Sequence, residues 1–340
     1  MADYDYERYG WMVNEKNLST LPDTAPQAIK DLVRWQTLEG RRSSLEEYLG
    51  LVTEDERIHG KFWHIGAWTH RMSHSNPNSA NISSVWDEGR TPTNAVEEVK
   101  AKYDSRMRAL FHAGGEEDEW LVGTDASGIQ LRVLTHYLKS PEYRDAILKG
   151  NSADGTDIHS VNRDALGLSH LVRDDAKTFI YAWLLGASIP KIREILNCSM
   201  AQAKTAETNF ITRTHGLKAL KEGEVKRDAM RGYFIGLDGR TVHCDSEHLM
   251  LAGYLQNGES VIMKMATLLW YKWAKERGIN FRLVNFVHDE WQVIVKGRDT
   301  AAETLGRLQR QALEQVGRDL NLFCPLAGET NIGRNWKETH

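Results

Sequence analysis

The stretch Trp120-Leu-Val-Gly-Thr-Asp125-Ala-Ser-Gly-Ile-Gln130-Leu-Arg132 constrains this chain more than any other. Trp120 to Val122 reads as a buried strand, and Asp125, Ser127 and Gly128 read as a turn. Ile129, Leu131, Leu134 and Leu138 then open a helical pattern. A strand that ends in an acid and turns into a helix holds its carboxylate on a rigid element, open to solvent. Such a place suits a hard cation, because Mg²⁺ takes one or two carboxylates together with substrate phosphate oxygens. A helix N-cap is the plainer use of the same aspartate.

With 340 residues, 41% hydrophobic and 26% charged, the chain has the composition of a globular protein with two or three subdomains. Cys198, Cys244 and Cys324 are odd in number and widely spaced, which implies a reducing compartment and no disulfides. The polar, acidic start is no signal peptide, and no apolar run approaches ~18 residues. A cytoplasmic protein without membrane association is expected. A net charge of −4 excludes coating nucleic acid by charge alone, though not a local basic cleft. The thirteen histidines show no HExxH pattern.

Residues 1–22 read as a linker, and Asp23-Thr-Ala-Pro26 as a helix start. Ile29, Leu32, Val33 and Gln36 follow at helical spacing up to Gly40, and a second short helix covers Ser43 to Leu49. Arg41 and Arg42 between them suit a solvated turn or a phosphate backbone. Phe62 to Ile65 is strand-like within an irregular segment from His59 to Ser84 that is dense in hydrogen-bonding groups. Residues 86–105 are charged and read as exposed. Helices dominate from 129 to about 230. Phe234 to His243 reads as a hairpin turning at Asp238-Gly239. An amphipathic stripe from Val261 to Trp273 ends before Gly278, and Val284 to Val295 reads as a second hairpin with His288-Asp289-Glu290 at its tip. A last helix, Leu305 to Leu320, precedes a short tail containing Asn331 to Trp336.

If their strands share a sheet, Asp125 and Asp289-Glu290 converge. Two aspartates so placed can hold two Mg²⁺ ions about 3.5–4 Å apart for phosphoryl transfer. Arg173, Lys177 and Tyr181 stand at i, i+4 and i+8, on one face of a helix whose other sides are apolar (Phe179, Ile180, Trp183, Leu184). A guanidinium and an ammonium suit a triphosphate, and the ring beyond them suits a sugar or base.

These residues carry a resemblance. Thr124 to Arg132 resembles motif A of the family A (DNA polymerase I-type) polymerases in its phage form, Arg173 to Tyr181 resembles motif B, and Val287 to Glu290 resembles motif C. Thr69 to Arg71 with Pro77-Asn78, Arg108 to Phe111, Leu237 to Arg240, Leu255-Gln256 and Gly333 to Trp336 resemble secondary signatures, and the likeness covers about residues 45–340. It implies an α+β fold: a palm of antiparallel sheet with helices behind it, a helical fingers subdomain and a thumb stub. The implied boundaries are 1–57 for thumb remnant or linker, 58–138 for the first part of the palm, 139–250 for fingers and 251–340 for the second part of the palm.

The resemblance further implies template-directed DNA synthesis from a primer 3′-hydroxyl by two-metal phosphoryl transfer. Asp125, Asp289 and the Ala126 carbonyl would hold two Mg²⁺ ions, with Glu290 as a supporting catalytic carboxylate. Arg173, Lys177, Tyr181, His159 and Gln130 would bind the deoxynucleoside triphosphate. Arg71, Asn78, Gln256 and His288 would contact primer–template DNA.

Three positions depart from the family pattern. Gln130 stands where a glutamate usually packs against the sugar, which predicts altered, not abolished, exclusion of ribonucleotides. Leu185 replaces an aromatic residue, and Ala182 a glycine. Only 124 residues precede Asp125, and the acidic clusters Glu54 to Glu56 and Glu116 to Glu119 fit exposed turns, so no exonuclease is read. The expectation is one subunit of a split phage replicative polymerase in the host cytoplasm, with a protein partner that carries exonuclease and thumb. A minimal form, a non-catalytic DNA-binding subunit descended from a polymerase, and an RNA-synthesising enzyme suggested by Gln130 are the alternatives.

Overall fold

The computed structural model describes residues 24–340 together with Asn14, Asn17 and Pro22; the rest of the expected linker, and Asp23, lie outside the described residues. The first long element is one helix, α1 (Gln27–Leu51), and not two. Gly40 does not break it, because a helical glycine costs only about 1 kcal/mol and Gly40 has open space around it. The flanking arginines make ion pairs and do not sit in a turn. Arg42 bridges Glu39 and Glu46 along the helix, and Arg41 reaches Asp104 at 2.7 Å.

Strands β1 (Lys61–Trp63) and β2 (Ser73–Ser75) pair in the irregular segment. The charged stretch that read as exposed contains α2 (Ala95–Ala109), capped by Asn94 and burying Val96, Val99, Asp104, Met107 and Arg108. Here a periodic apolar edge overrides a charged composition. Strand β3 (Glu119–Ala126) is longer than its apolar run and includes Asp125. Glu119 is a buried strand residue paired with Arg282 at 2.6 Å, not a turn residue.

Two helices follow, α3 (Ile129–Leu138) and α4 (Pro141–Leu148). The helical region continues with α5 (Ile158–Leu166), α6 (Arg173–Leu184), α7 (Ile189–Ile195), α8 (Met200–Arg213), α9 (Leu217–Leu220) and α10 (Lys226–Arg231). Strands β4 (Tyr233–Ile235) and β5 (Thr241–His243) form the expected hairpin, with Gly239 at positive φ. The helix α11 (Glu247–Glu276) begins fourteen residues before the Val261 stripe. Its first half is buried nearly all round, so it has no one-sided period to read. Strands β6 (Phe281–Val287) and β7 (Glu290–Lys296), α12 (Glu303–Asp319) and β8 (Gly328–Gly333) complete the chain. The segment that read as a tail therefore supplies a strand, recruited by the open edge of β3.

The central sheet has the order β6-β7-β3-β8, all neighbours antiparallel. Val122, Thr124, Trp291, Val293 and Val295 are buried on the side of α11 and α12, where the main core gathers. Two polar pairs tie the sheet to these helices: Thr124 donates to Gln309 of α12 at 2.6 Å, and the Trp291 indole donates to Thr267 of α11 at 2.9 Å. On the opposite face Leu121 and Ile294 pack with Tyr48, Met107 and Trp336 in a smaller cluster. Among the described residues no helix is long and apolar enough to cross a membrane.

Gly123 lets the C-terminal segment lie on this second face. A Cβ there would stand 2.4 Å from the Thr339 carbonyl and 2.6 Å from the Gln292 amide nitrogen. We expect Gly123→Ala to lower stability by about 1–3 kcal/mol through overpacking, read as a fall in the denaturation midpoint. An unchanged midpoint would show that the segment is not held there.

Candidate active site

Asp125 stands directly opposite Glu290 in the β3–β7 register, so the two side chains share a face of the sheet. The turn before Glu290 is shorter than expected. Its two residues are His288, at φ 53°, and Asp289, and Glu290 already belongs to β7. The Asp289 carbonyl accepts a hydrogen bond from the Ala126 amide at 2.9 Å, which brings the turn beside the end of β3. The structure thus brings together Asp125, Ala126, Asp289 and Glu290.

The carboxylates meet different environments. Glu290 is buried and accepts hydrogen bonds from the Trp336 indole at 2.5 Å, the His340 ring at 3.0 Å and the Gln292 amide, with Arg108 at 4.0 Å. Burial opposes its ionisation, yet these donors hold its carboxyl below the usual range. Asp125 is exposed at its tip, but enclosure by the cleft and the negative charge of Glu290 push its carboxyl up to about 6. Asp289 is raised well above the ordinary value by burial and by the charges of Glu259 and Asp125. Two carboxylates are thus held together, with Arg71 and His340 offsetting only part of the burial and repulsion. That fits a divalent cation with few protein ligands, although no group of three or more acidic, His or Cys ligands occurs among the described residues.

The ladder on α6 points at the same place. Burial and then the charges of Asp289 and Asp125 raise the Tyr181 hydroxyl, which is therefore within reach of the aspartates' charge. Arg173 lies eight residues away, roughly 12 Å along the helix. It forms a two-pronged pair with Asp157, at 2.9 and 2.7 Å. Asp157 also caps α5, accepting from the amides of His159 and Ser160, so α5 and α6 are tied at their N-termini. His159 is buried, its ring 6.1 Å from that of Tyr181. Lys177 lies exposed between Arg173 and Tyr181.

The expected DNA-contacting residues are more scattered. Arg71 is partly buried, and its guanidinium donates to Glu259 of α11 at 2.5 Å. The charge of Arg71 reaches His288, whose ring is held below its usual pKa by burial first and Arg71 second. Gln256 lies three residues before Glu259 in α11. Asn78 is exposed and caps the Ala80 amide at 3.2 Å, so its side chain serves its own loop. Gln130, on the first turn of α3, donates to Glu259 at 3.0 Å.

Glu259, Asp157 and His340 were not singled out in the sequence. The polar interruption Gln256 to Ser260, between the apolar stretches on either side of it, is the signal that could have found Glu259.

A raised carboxyl pKa is most favourable to the fold below the unfolded value near 3.9, and that contribution is lost as pH rises through about 6. With divalent cations chelated, Asp125→Asn should therefore raise the melting temperature at pH 8 and leave it nearly unchanged at pH 4. Equal effects at both pH values would refute the raised ionisation.

The same chain matches known proteins. It is 32% identical to the DNA-directed DNA polymerases of Enterobacteria phage T3 and Escherichia phage T7, over 94% of this chain and 47% of each of them. It is 28% identical to the thermostable DNA polymerase I of Thermus aquaticus, over 82% of this chain and 32% of that protein. The chain thus spans about half the length of the phage polymerases it matches. The POL domain of Pol1 from M. smegmatis, solved in complex with DNA primer-template and dNTP, shares the fold: TM-score 0.78, 22% identity, 97% of this chain and 57% of that one. The family model described as DNA polymerase family A matches residues 3–338, well upstream of the motifs, and this chain belongs to that family.

Proposed function

We propose that this chain is the catalytic core of a template-directed DNA polymerase that adds deoxynucleotides to a primer 3′-hydroxyl. The observation that carries the reading is the opposition of Asp125 to Glu290 with the Asp289 turn bonded to Ala126, which gathers two carboxylates of raised pKa whose charge reaches Tyr181 on α6. Asp125, Asp289 and the Ala126 carbonyl would hold Mg²⁺, which when bound supplies positive charge against the charge that develops in phosphoryl transfer.

The remaining roles belong to side chains. Glu290 orders the turn through Trp336 and His340 and adds negative potential behind Asp125. Arg173, braced by Asp157, and Lys177 take the triphosphate, and Tyr181 with His159 forms the wall beside the sugar. Arg71, Gln256, His288 and Asn78 lie along the primer–template side, where backbone contacts position the duplex and base pairing reads sequence. The division into thumb remnant (1–57), palm (58–138 and 251–340) and fingers (139–250) follows this assignment.

A protein partner that carries thumb and exonuclease completes the reading. Away from its buried residues Val33, Thr37 and Tyr48, α1 exposes Trp35, Leu38, Leu45 and Leu49 on one side, with Trp35 59% and Leu49 74% exposed. An apolar stripe of this kind on a soluble helix marks an interaction surface. The occupant of this reading is a polypeptide that carries thumb and exonuclease. The free cysteines suit a host cytoplasm.

Primer extension with Mg²⁺ and deoxynucleotides tests the chemistry. Asp289→Asn should lose on the order of 10³-fold in rate or more, while binding of primer–template is retained. Binding without extension under every condition would instead favour a non-catalytic DNA-binding subunit. For the partner, adding the adjacent gene product should lengthen the extension products, and Leu49→Glu should remove that gain while leaving extension by the chain alone intact. No gain with the wild-type chain would refute the split.

A further inference from the structure

Glu259 is 1% exposed, within the buried stretch Met250 to Met263 of α11. A carboxylate there is costly unless it is paired, and an apolar side chain would serve a purely structural purpose better. Its pairing is lopsided. The Arg71 guanidinium and the Gln130 amide both donate to Oε2, at 2.5 and 3.0 Å. Oε1 is buried and has no hydrogen-bond partner among the described residues.

The chemistry of that contact dictates how Gln130 is held. An ionised carboxylate only accepts, so the Nε2 end of the Gln130 amide must face Glu259, and the planar group turns its Oε1 the other way. Gln130 is half-buried, five residues past Asp125, and the charge of Glu259 reaches Asp289. The Arg71–Glu259–Gln130 triad therefore borders the two aspartates. A glutamate at position 130 would set two carboxylate oxygens against each other at this distance. The identities at 130 and 259 are matched.

We infer that Glu259, anchored by Arg71, is a positioning residue that locks Gln130 into a fixed wall beside the sugar of the incoming nucleotide, so that discrimination against a 2′-hydroxyl depends on the Gln130–Glu259 pair. The inference rests on the polymerase reading above. A side chain rejects one extra hydroxyl only when it cannot swing aside. A charge-assisted hydrogen bond from a side chain that is itself clamped removes that freedom.

The test is the ratio of affinities for deoxy- and ribonucleoside triphosphates, measured with Mg²⁺ on the chain bound to a primer-template that ends in a dideoxynucleotide. Glu259→Ala should lower the ratio about tenfold, the usual weight of one charged hydrogen bond. Gln130→Glu should lower it similarly, and the exchange Gln130→Glu with Glu259→Gln should restore it to within about twofold, because the donor and the acceptor have only changed places. Should Glu259→Ala fail to fold, Glu259→Gln keeps the shape and an acceptor for Arg71, and should lower the ratio by a smaller factor. Unmoved ratios in the single variants, or an exchange variant that sums the two losses, would overturn the inference. Primer extension by the wild-type chain runs alongside. Extension with unmoved ratios sinks the positioning role alone, whereas absence of extension removes the polymerase reading and the inference built on it.

Discussion

The register between β3 and β7 is the constraint on which the rest depends. Side chains alternate across a strand, so a slip of one residue would send Asp125 into the helical core and Thr124 to the cleft. Buried polar pairs that a slip would break oppose it. Thr124 meets Gln309, Trp291 meets Thr267, and the Ala126 amide meets the Asp289 carbonyl. Gly123 adds a steric condition, because only a residue without Cβ admits Thr339 above it. The strand thus sets where the carboxylate stands, and both faces of the sheet hold it there.

Around that strand the acids are treated unequally, and the inequality organises the site. Glu290 has donors for both oxygens and stays ionised as part of the structure. Glu259 has donors for one oxygen, and spends its charge on holding Arg71 and Gln130. Asp125 and Asp289 are less well supplied, and burial together with neighbouring acids holds their protons more tightly. A positive charge arriving here finds the two unsatisfied acids and is kept from competing with the satisfied ones. The helix α6 is aimed by a similar device, since Asp157 caps one helix while pinning the first arginine of the next.

Much of this was legible in the chain, for reasons specific to particular residues. The motif stretches 124–132, 173–181 and 287–290 kept their order and their elements. The hairpin at 238–239 announced itself through its Asp-Gly turn, and the other through two β-rich runs flanking His288-Asp289-Glu290, although Glu290 belongs to β7. Charge misled at two places: Arg41 and Arg42 read as a turn, and 86–105 read as exposed, because the Arg41–Asp104 pair forms only once two helices lie side by side, and the Arg42 pairs with Glu39 and Glu46 only once 27–51 is one helix. The C-terminal strand was invisible for a related reason. Gly328 to Gly333 has little strand propensity of its own and pairs because β3 offers an open edge.

Sequence alone determined which chemistry this chain carries: the acids after β3 and in the β6–β7 turn, the cationic ladder on α6, and the family to which they belong. These are local patterns, written in residue type and spacing. Tertiary structure decided what each acid is for. Whether a carboxylate is neutralised, half-satisfied or left bare depends on donors far away in sequence, such as Trp336 and His340 for Glu290 or Arg71 and Gln130 for Glu259. No local pattern encodes those meetings, because packing the sheet against α11 and the C-terminal segment is what creates them.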